Sequence, residues 1–388
     1  MSNVLNPVEL TSALIKCRSI TPTSAGSIDL IISYLEPMGF TCTKIDFGQG
    51  DEKVENLYAR FGSLEPNICF AGHVDVVPTG DEQSWSIDPF GGEIKKGKIW
   101  GRGAADMKSG IAAFIAAVSE FMEINKNLKD YGSISFIITS DEEGKAINGT
   151  KKVVEWLINK SEKISGCIVG EPTNVNQMGD TIKIGRRGSF TGSLIVKGIQ
   201  GHVGYPDLAE NPINSLLKML EPFSKIYLDK GTNEFQPSSV MVTTIDVNND
   251  ASNVIPGEVK AKFNIRFNTL HSVASLQSML KKQFDAITKN YEFDYFCNAE
   301  PFLTSDEELK STLQNAITKV VNVNPEKSTT GGTSDARFIT KLCPVIEFGL
   351  VGKTMHKIDE NVEVEDIMKL TNIYNKFLHN YFRVEKND

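Results

Sequence analysis

No stretch of the chain approaches the roughly 18 uninterrupted apolar residues that a membrane-spanning helix needs. Its start, MSNVLNPVELTSALIKCRSI, also lacks a basic segment followed by a long apolar one. These absences point to a cytoplasmic protein. Positive charge is in the minority: 41 Lys and Arg stand against 49 Asp and Glu, for a net charge of -8. That balance argues against a nucleic-acid or anionic-membrane surface and leaves a small molecule as the expected partner. Cysteines number six (Cys17, Cys42, Cys69, Cys167, Cys297 and Cys343), with no CxxC spacing and several inside apolar runs. They read as reduced core thiols, so neither a disulfide framework nor a thiolate metal site is indicated. No internal repeat or low-complexity segment is visible.

What the chain does have is length and alternation. At 388 residues it exceeds the size at which one core keeps growing, so two domains are expected. Three stretches share one plan, an apolar strand-like run that ends in polar residues: NICFAGHVD (67–75), SISFIITSDEEG (133–144) and GCIVGEPT (166–173). CPVIEFGLVGKTMH (343–356) is a fourth. Between the first two, DMKSGIAAFIAAVSEFMEI (106–124) reads as a helix with an acid at its start, where the helix dipole favours an anion. Strands alternating with helices imply an α/β domain with a mostly parallel central sheet. The middle of the chain differs. From Ser189 the pattern runs strand (SFTGSLIVKG), helix (NPINSLLKMLEPFSKI), strand (SSVMVTTIDV), strand (EVKAKFNIRF), helix (SVASLQSMLKKQFDAI) and strand (YEFDYF). That β-α-β-β-α-β order is ferredoxin-like, an α+β domain inserted into the first. The expected division is 1–184 and 297–388 for the α/β domain and 185–296 for the insert.

In an open α/β sheet, ligands bind outside the carboxyl ends of the strands. The four polar clusters fall there and supply His73, Asp75, Glu142, Glu143, Glu171 and His356, with Asp106 on the neighbouring helix start. Two imidazoles and several carboxylates are donors that Zn²⁺ accepts. Each taken alone has an ordinary reading: a hydrogen-bonded core histidine, an exposed acidic turn, a helix N-terminal charge. Their convergence on one sheet edge is what sets them apart. His271 and His379 have no such setting and are read as structural.

GHVDVVP (72–78), GRGAADMKSG (101–110), SDEEG (140–144) and GEPT (170–173), together with GHVGYP (201–206) and GGTSDARF (331–338), resemble in the same order the co-catalytic zinc amidohydrolases and metallopeptidases. The resemblance runs over nearly the whole chain. It implies a zinc-peptidase-like catalytic domain with two Zn²⁺ per subunit, for which Co²⁺ can substitute. Asp106 would bridge the ions, His73 and Glu171 would complete one site, and Glu143 and His356 the other. Glu142 would be the general base, and Asp75 would orient His73 by accepting its other ring proton. The bond Asp106–Met107 would be cis. His202 would donate to the developing oxyanion, reaching the active site of the partner in a homodimer formed through the insert.

Within that superfamily GRRGS, GHVGYP and GGTSDARF point to the branch acting on N-succinyl-LL-2,6-diaminopimelate in lysine biosynthesis. A substrate with carboxylates at both ends calls for arginines and aligned donors. Arg186, Ser189, Asn253, Arg266, Thr333 and Ser334 resemble the family's substrate contacts, although Lys260, Lys262, Asn264 and Asn268 make the face of Arg266 read equally as solvated sheet surface. One departure is Ser252 before Asn253, where the family often has paired asparagines. The alternatives are a deacetylase or aminoacylase acting on another N-acyl amino acid such as N-acetylornithine, a peptidase, and a non-catalytic binding module. The module would be expected to have lost a ligand or the base, and none is missing.

Overall fold

The four apolar runs lie side by side. In the computed structural model, which describes residues 4–384, Ser133–Thr139, Asn67–His73, Gly166–Val169 and Val345–Glu347 are consecutive neighbours in one sheet. All three pairings between them are parallel, with His73 level with Thr139 and Ala71 level with Val169. Their carboxyl ends therefore open on one edge. An antiparallel pair, Thr41–Phe47 and Val54–Phe61, extends one side, and Thr181–Lys183 and Glu326–Ser328 the other, making eight strands.

Period-two alternation sends Ile68, Phe70, Ile134, Phe136, Ile138, Ile168 and Ile346 to one face, all inaccessible to solvent. Against it pack Pro7–Lys16, Ser109–Ile124 and Val364–Tyr381. Phe70 stacks on Phe114 with ring centroids 4.5 Å apart. Each such side chain contributes about 1.5–3 kcal/mol by leaving water. Small residues in Ser109–Ile124 bring its backbone close: a Cβ on Gly110 would lie 2.7 Å from the Gly170 carbonyl oxygen. All six cysteines are free, and Cys69, Cys167 and Cys343 are buried.

The chain forms two units. The first runs to Ile184 and resumes over Thr304–Ser328 and from Ser334 onward; the second takes Gly185–Leu303 and Thr329–Thr333. In the second, four antiparallel strands lie in the order Ser239–Asp246, Glu258–Phe267, Gly188–Lys197, Tyr291–Ala299. By chain position this is 2-3-1-4, the ferredoxin-like arrangement. Pro212–Leu220 and Val273–Asp285, capped by Asn211 and by the Ser272/Ser275 box, cover its apolar face around Phe190, Phe263, Leu216 and Phe284.

Two expectations need correction. The boundary at 296/297 cuts a strand, because Tyr291–Ala299 keeps pairing until Ala299 faces Ser189. The unit ends at Leu303, and five residues of the GGTS region belong to it, where Arg186 donates to the Gly332 carbonyl at 3.0 Å. The helix read from Asp106 begins at Ser109. Asp106 and Met107 have non-helical torsions and the bond between them is cis, so Asp106 stands before the helix rather than in its first turn.

Candidate metal centre and active site

His73 ends its strand fully buried, with Nε2 3.2 Å from Asp106 Oδ1 and 3.8 Å from Glu171 Oε1. His356 has a positive φ of 61° and lies half-exposed, with Nε2 2.8 Å from Glu143 Oε1 and 3.4 Å from Asp106 Oδ2. Asp106 thus turns one oxygen to each imidazole. Ligand atoms of His73, Asp106 and Glu171 lie within 4.8 Å of one another, as do those of Asp106, Glu143 and His356. The set His73, Glu142 and Glu143 overlaps them.

Electrostatics reflect this crowding. Burial works against a charge on His73, yet Asp106, Glu171 and Asp75 together hold its pKa well above the usual histidine value. Hydrogen bonds to Asp106 and Glu143 push His356 up to about 10. Burial, then the Asp106 charge, raises Glu171 far above the ordinary carboxyl range, while for Asp106 the two imidazoles outweigh burial and lower it. Three carboxylates facing two imidazoles leave a surplus of negative charge and a mixed N/O donor set, and both fit divalent cations of the zinc type.

The SDEEG turn is fixed from both sides. Asp141 accepts the N–H groups of Ala146, Ile147 and Asn148 at 3.0–3.2 Å. Asp75, itself fully buried, accepts those of Glu142 at 3.3 Å and Glu143 at 3.1 Å. This alters the role expected for Asp75. His73 Nδ1 points to the Asp75 main-chain carbonyl at 2.9 Å, while the carboxylate is 3.6 Å away and occupied with the turn. The carboxylate therefore positions Glu142 and Glu143, and the backbone of the same residue orients the ring. Burial, with Asp335, Glu143 and Asp106 nearby, raises the Glu142 carboxyl well above its ordinary range despite the opposing His73 charge. A raised pKa suits a group that must take a proton and give it back.

Residues of the second unit form their own cluster. Arg266 faces Ser189 across the strand pair, and Ser189 Oγ accepts from Asn264 at 3.2 Å. Arg187, absent from the sequence expectations, lies beside Arg266; burial and then the Arg187 charge lower the Arg266 pKa. Arg187 donates to the Pro237 carbonyl at 3.1 Å, and its buried Nε has no hydrogen-bond partner among the described residues. The only signal in the sequence was a second arginine in GRRGS, directly before the strand whose Ser189 faces Arg266. His202 is exposed and paired with Val254, its Nδ1 accepting the Gly204 N–H at 2.9 Å; Asn253, also exposed, accepts the Val203 N–H. Thr333 is half-buried at the end of the second unit. In the first unit, Ser334 donates to the buried Glu347 at 2.6 Å. Glu347, Arg102 and Glu360 were not foreseen either; each acts through a partner distant in sequence. Among the described residues no helix is long and apolar enough to cross a membrane.

Residues 69–380 match peptidase family M20/M25/M40. The chain is 50% identical over 378 residues to a succinyl-diaminopimelate desuccinylase of Rhodospirillum centenum, covering 97% of each. It is 51% identical over 382 residues to one of Pelagibacter ubique, covering 97% of this chain and 99% of the relative. Among solved structures it resembles the aminopeptidase PepT of Bacillus cereus (TM-score 0.76, 18% identity, 97% and 99% covered) and an M20 family metallo-carboxypeptidase of Sulfolobus solfataricus (TM-score 0.75, 18% identity, 98% and 100% covered). By the family match and these full-length relatives, the chain belongs to peptidase family M20/M25/M40.

Proposed function

We propose that this chain is a metal-dependent amidohydrolase that cleaves N-succinyl-LL-2,6-diaminopimelate to succinate and LL-2,6-diaminopimelate, in lysine and diaminopimelate biosynthesis. The observation that carries the reading is identity of about half the residues, over nearly full length, to enzymes named for that reaction. His73, Asp106 and Glu171 would hold one divalent cation and Asp106, Glu143 and His356 a second, with Zn²⁺ the expected ion and Co²⁺ a substitute. Bound there, the cations would supply Lewis acidity, lowering the pKa of a water and polarising the amide carbonyl.

The remaining work falls to the chain. Glu142 takes the proton of the attacking water and returns it to the leaving nitrogen, which must be protonated to depart as an amine. Asp75 holds Glu142 in place through the N–H groups it accepts. His202, from the partner subunit of a cytoplasmic homodimer built through the second unit, donates to the oxyanion. Arg186, Arg266, Ser189, Asn253, Thr333 and Ser334 receive the substrate's carboxylates; the half-buried guanidinium of Arg266, with Arg187 beside it, supports this part of the assignment.

The test is hydrolysis of N-succinyl-LL-2,6-diaminopimelate by protein with two equivalents of Zn²⁺, beside the Glu142→Ala variant. Turnover by the first and a fall of at least about 10²–10⁴-fold in the second is the expected outcome. Faster turnover of N-acetylornithine would overturn the substrate assignment in favour of a deacetylase.

A further inference from the structure

Glu360 has no solvent exposure, and its carboxylate faces two directions at once. Oε1 accepts the main-chain N–H groups of Ala105 at 2.8 Å and Asp106 at 3.2 Å. Oε2 accepts from Arg102 at 2.8 Å. Arg102, 3% exposed, donates also to the carbonyls of Lys357 at 3.0 Å and Pro78 at 3.3 Å, and its guanidinium carbon lies 5.1 Å from the centre of the Trp85 ring. The Gly101 N–H closes the arrangement on the Glu360 carbonyl at 2.9 Å.

Three loops meet at this pair: 78–86, 101–106 and 354–361. Two of them carry side chains of the candidate metal centre, Asp106 in one and His356, four residues before Glu360, in the other. The contacts reach the peptide N–H of Asp106 itself, next to its cis bond. An ion pair so fully removed from water is costly unless its remaining hydrogen-bonding capacity is met. Here the capacity of Glu360 is spent on the backbone of a candidate ligand. Nothing about filling a core requires that choice, since apolar side chains of similar size would fill the same volume.

We infer that Glu360 and Arg102 form a positioning pair that fixes the Asp106 carboxylate relative to His356, and so sets the affinity and geometry of the second cation site. The inference rests on the metal-centre reading above. Both residues are buried away from solvent and so from a diffusing substrate. Their effect passes through the Asp106 peptide and the loop that bears His356, leaving the residues assigned to substrate carboxylates unaltered.

The experiment is titration of metal-free protein with Co²⁺, followed by visible absorption and calorimetry, for wild type, Glu360→Asp and the double variant Glu360→Met/Arg102→Met. Asp keeps the charge pair but shortens the arm by one methylene, and the double variant replaces the pair with apolar groups of similar volume and strands no charge. Wild type should bind two equivalents. Because Asp106 belongs to both sites, both variants should bind cation more weakly, with the larger loss, about 10–100-fold, at the site that Asp106 shares with His356, and with an altered absorption band. Their kcat should fall while KM for the succinylated substrate stays level. If the folded variants bind both equivalents with wild-type affinity and spectra, the pair is structural filling and the inference is overturned. Uptake of fewer than two equivalents by wild type would instead defeat the metal-centre reading.

Discussion

Replacing Asp75 by Asn should leave the metal-free protein more stable and the loaded enzyme slower. Asp75 is fully buried and titrates near 6 instead of 3.8; burial is the main cause, opposed by the His73 charge and the hydrogen bonds to the SDEEG turn. A carboxyl raised in the folded state contributes its stability fully below about 3.8 and loses it as the pH rises through about 6. At pH 8 the ionised group therefore costs about 3 kcal/mol relative to a neutral one. Asparagine removes the charge in the same volume, while its amide N–H₂ meets one of the two turn N–H groups donor to donor, a mismatch of about 1–2 kcal/mol. The net gain is about 1–2 kcal/mol. With an unfolding entropy near 0.8 kcal/mol/K for a chain of this length, the midpoint should rise by about 1–3 °C.

The assay is paired melting of wild type and Asp75→Asn in chelator at pH 8 and pH 5. The charge contribution to the gap should shrink to about half at pH 5, where most of the folded wild-type carboxyl is already protonated. Catalysis should move the other way. The carboxylate accepts two N–H groups at 3.3 and 3.1 Å, and the amide presents an N–H to one of them. A displacement of Glu142 of about 1 Å costs on the order of 100-fold in kcat. A variant less stable than wild type at pH 8 would refute the electrostatic reasoning, and an unchanged kcat would refute the positioning role.

Cation binding at pH 8 should release protons, close to one for each of His73 and His356. Both imidazoles are held protonated by their carboxylate neighbours in the metal-free protein and must be neutral to coordinate. Calorimetry in two buffers of different ionisation enthalpy measures the release, which should decline for His356 as the pH passes about 10; no release at pH 8 would contradict the assignment. Gly349→Ala would place a Cβ 2.3 Å from the Gly170 oxygen and 2.4 Å from that of Glu171, both main-chain atoms that can give only by moving the GEPT segment. A stability loss of about 1–3 kcal/mol in urea and weaker binding at the His73 site are expected. Arg187→Met should raise KM for the succinylated substrate by about tenfold or more, the worth of a charged hydrogen bond, with little change in kcat. Steady-state kinetics with an unchanged KM would remove Arg187 from the carboxylate site.

Much of this architecture was legible because its signals are local. The apolar run Ile68–Ala71 followed by Gly72–His73 announces a buried strand and its edge, and alternation through Glu258–Phe267 announces a strand with one wet face. Boundaries were less legible: the strand was read only as far as Phe296 (YEFDYF), so it was ended before pairing with Ser189 and Phe190 had run out. Asp106 was placed in a helix because the residues after it are strong helix formers; the cis bond after it, which is present as the family resemblance implied, has no propensity signal of its own.

What stayed hidden has one physical origin. The candidate ligands lie at or beyond strand ends and, for Asp106, just before a helix, where residue type and period expose them. Their angles are set by partners far along the chain: Asp75 acts on a turn 67 and 68 residues away, and Glu360 on an arginine 258 residues away. A sequence read one segment at a time can say that Asp75 is an acceptor near His73, but not which of two competing donors it takes. The competition is decided by depth. Once the strand buries Asp75 completely, the two N–H groups of the turn have no water to turn to, and leaving them unpaired would cost more than leaving a histidine to a backbone carbonyl that is already there. The carboxylate therefore goes to the turn, and the residue expected to orient His73 holds the backbone of Glu142 and Glu143 as well.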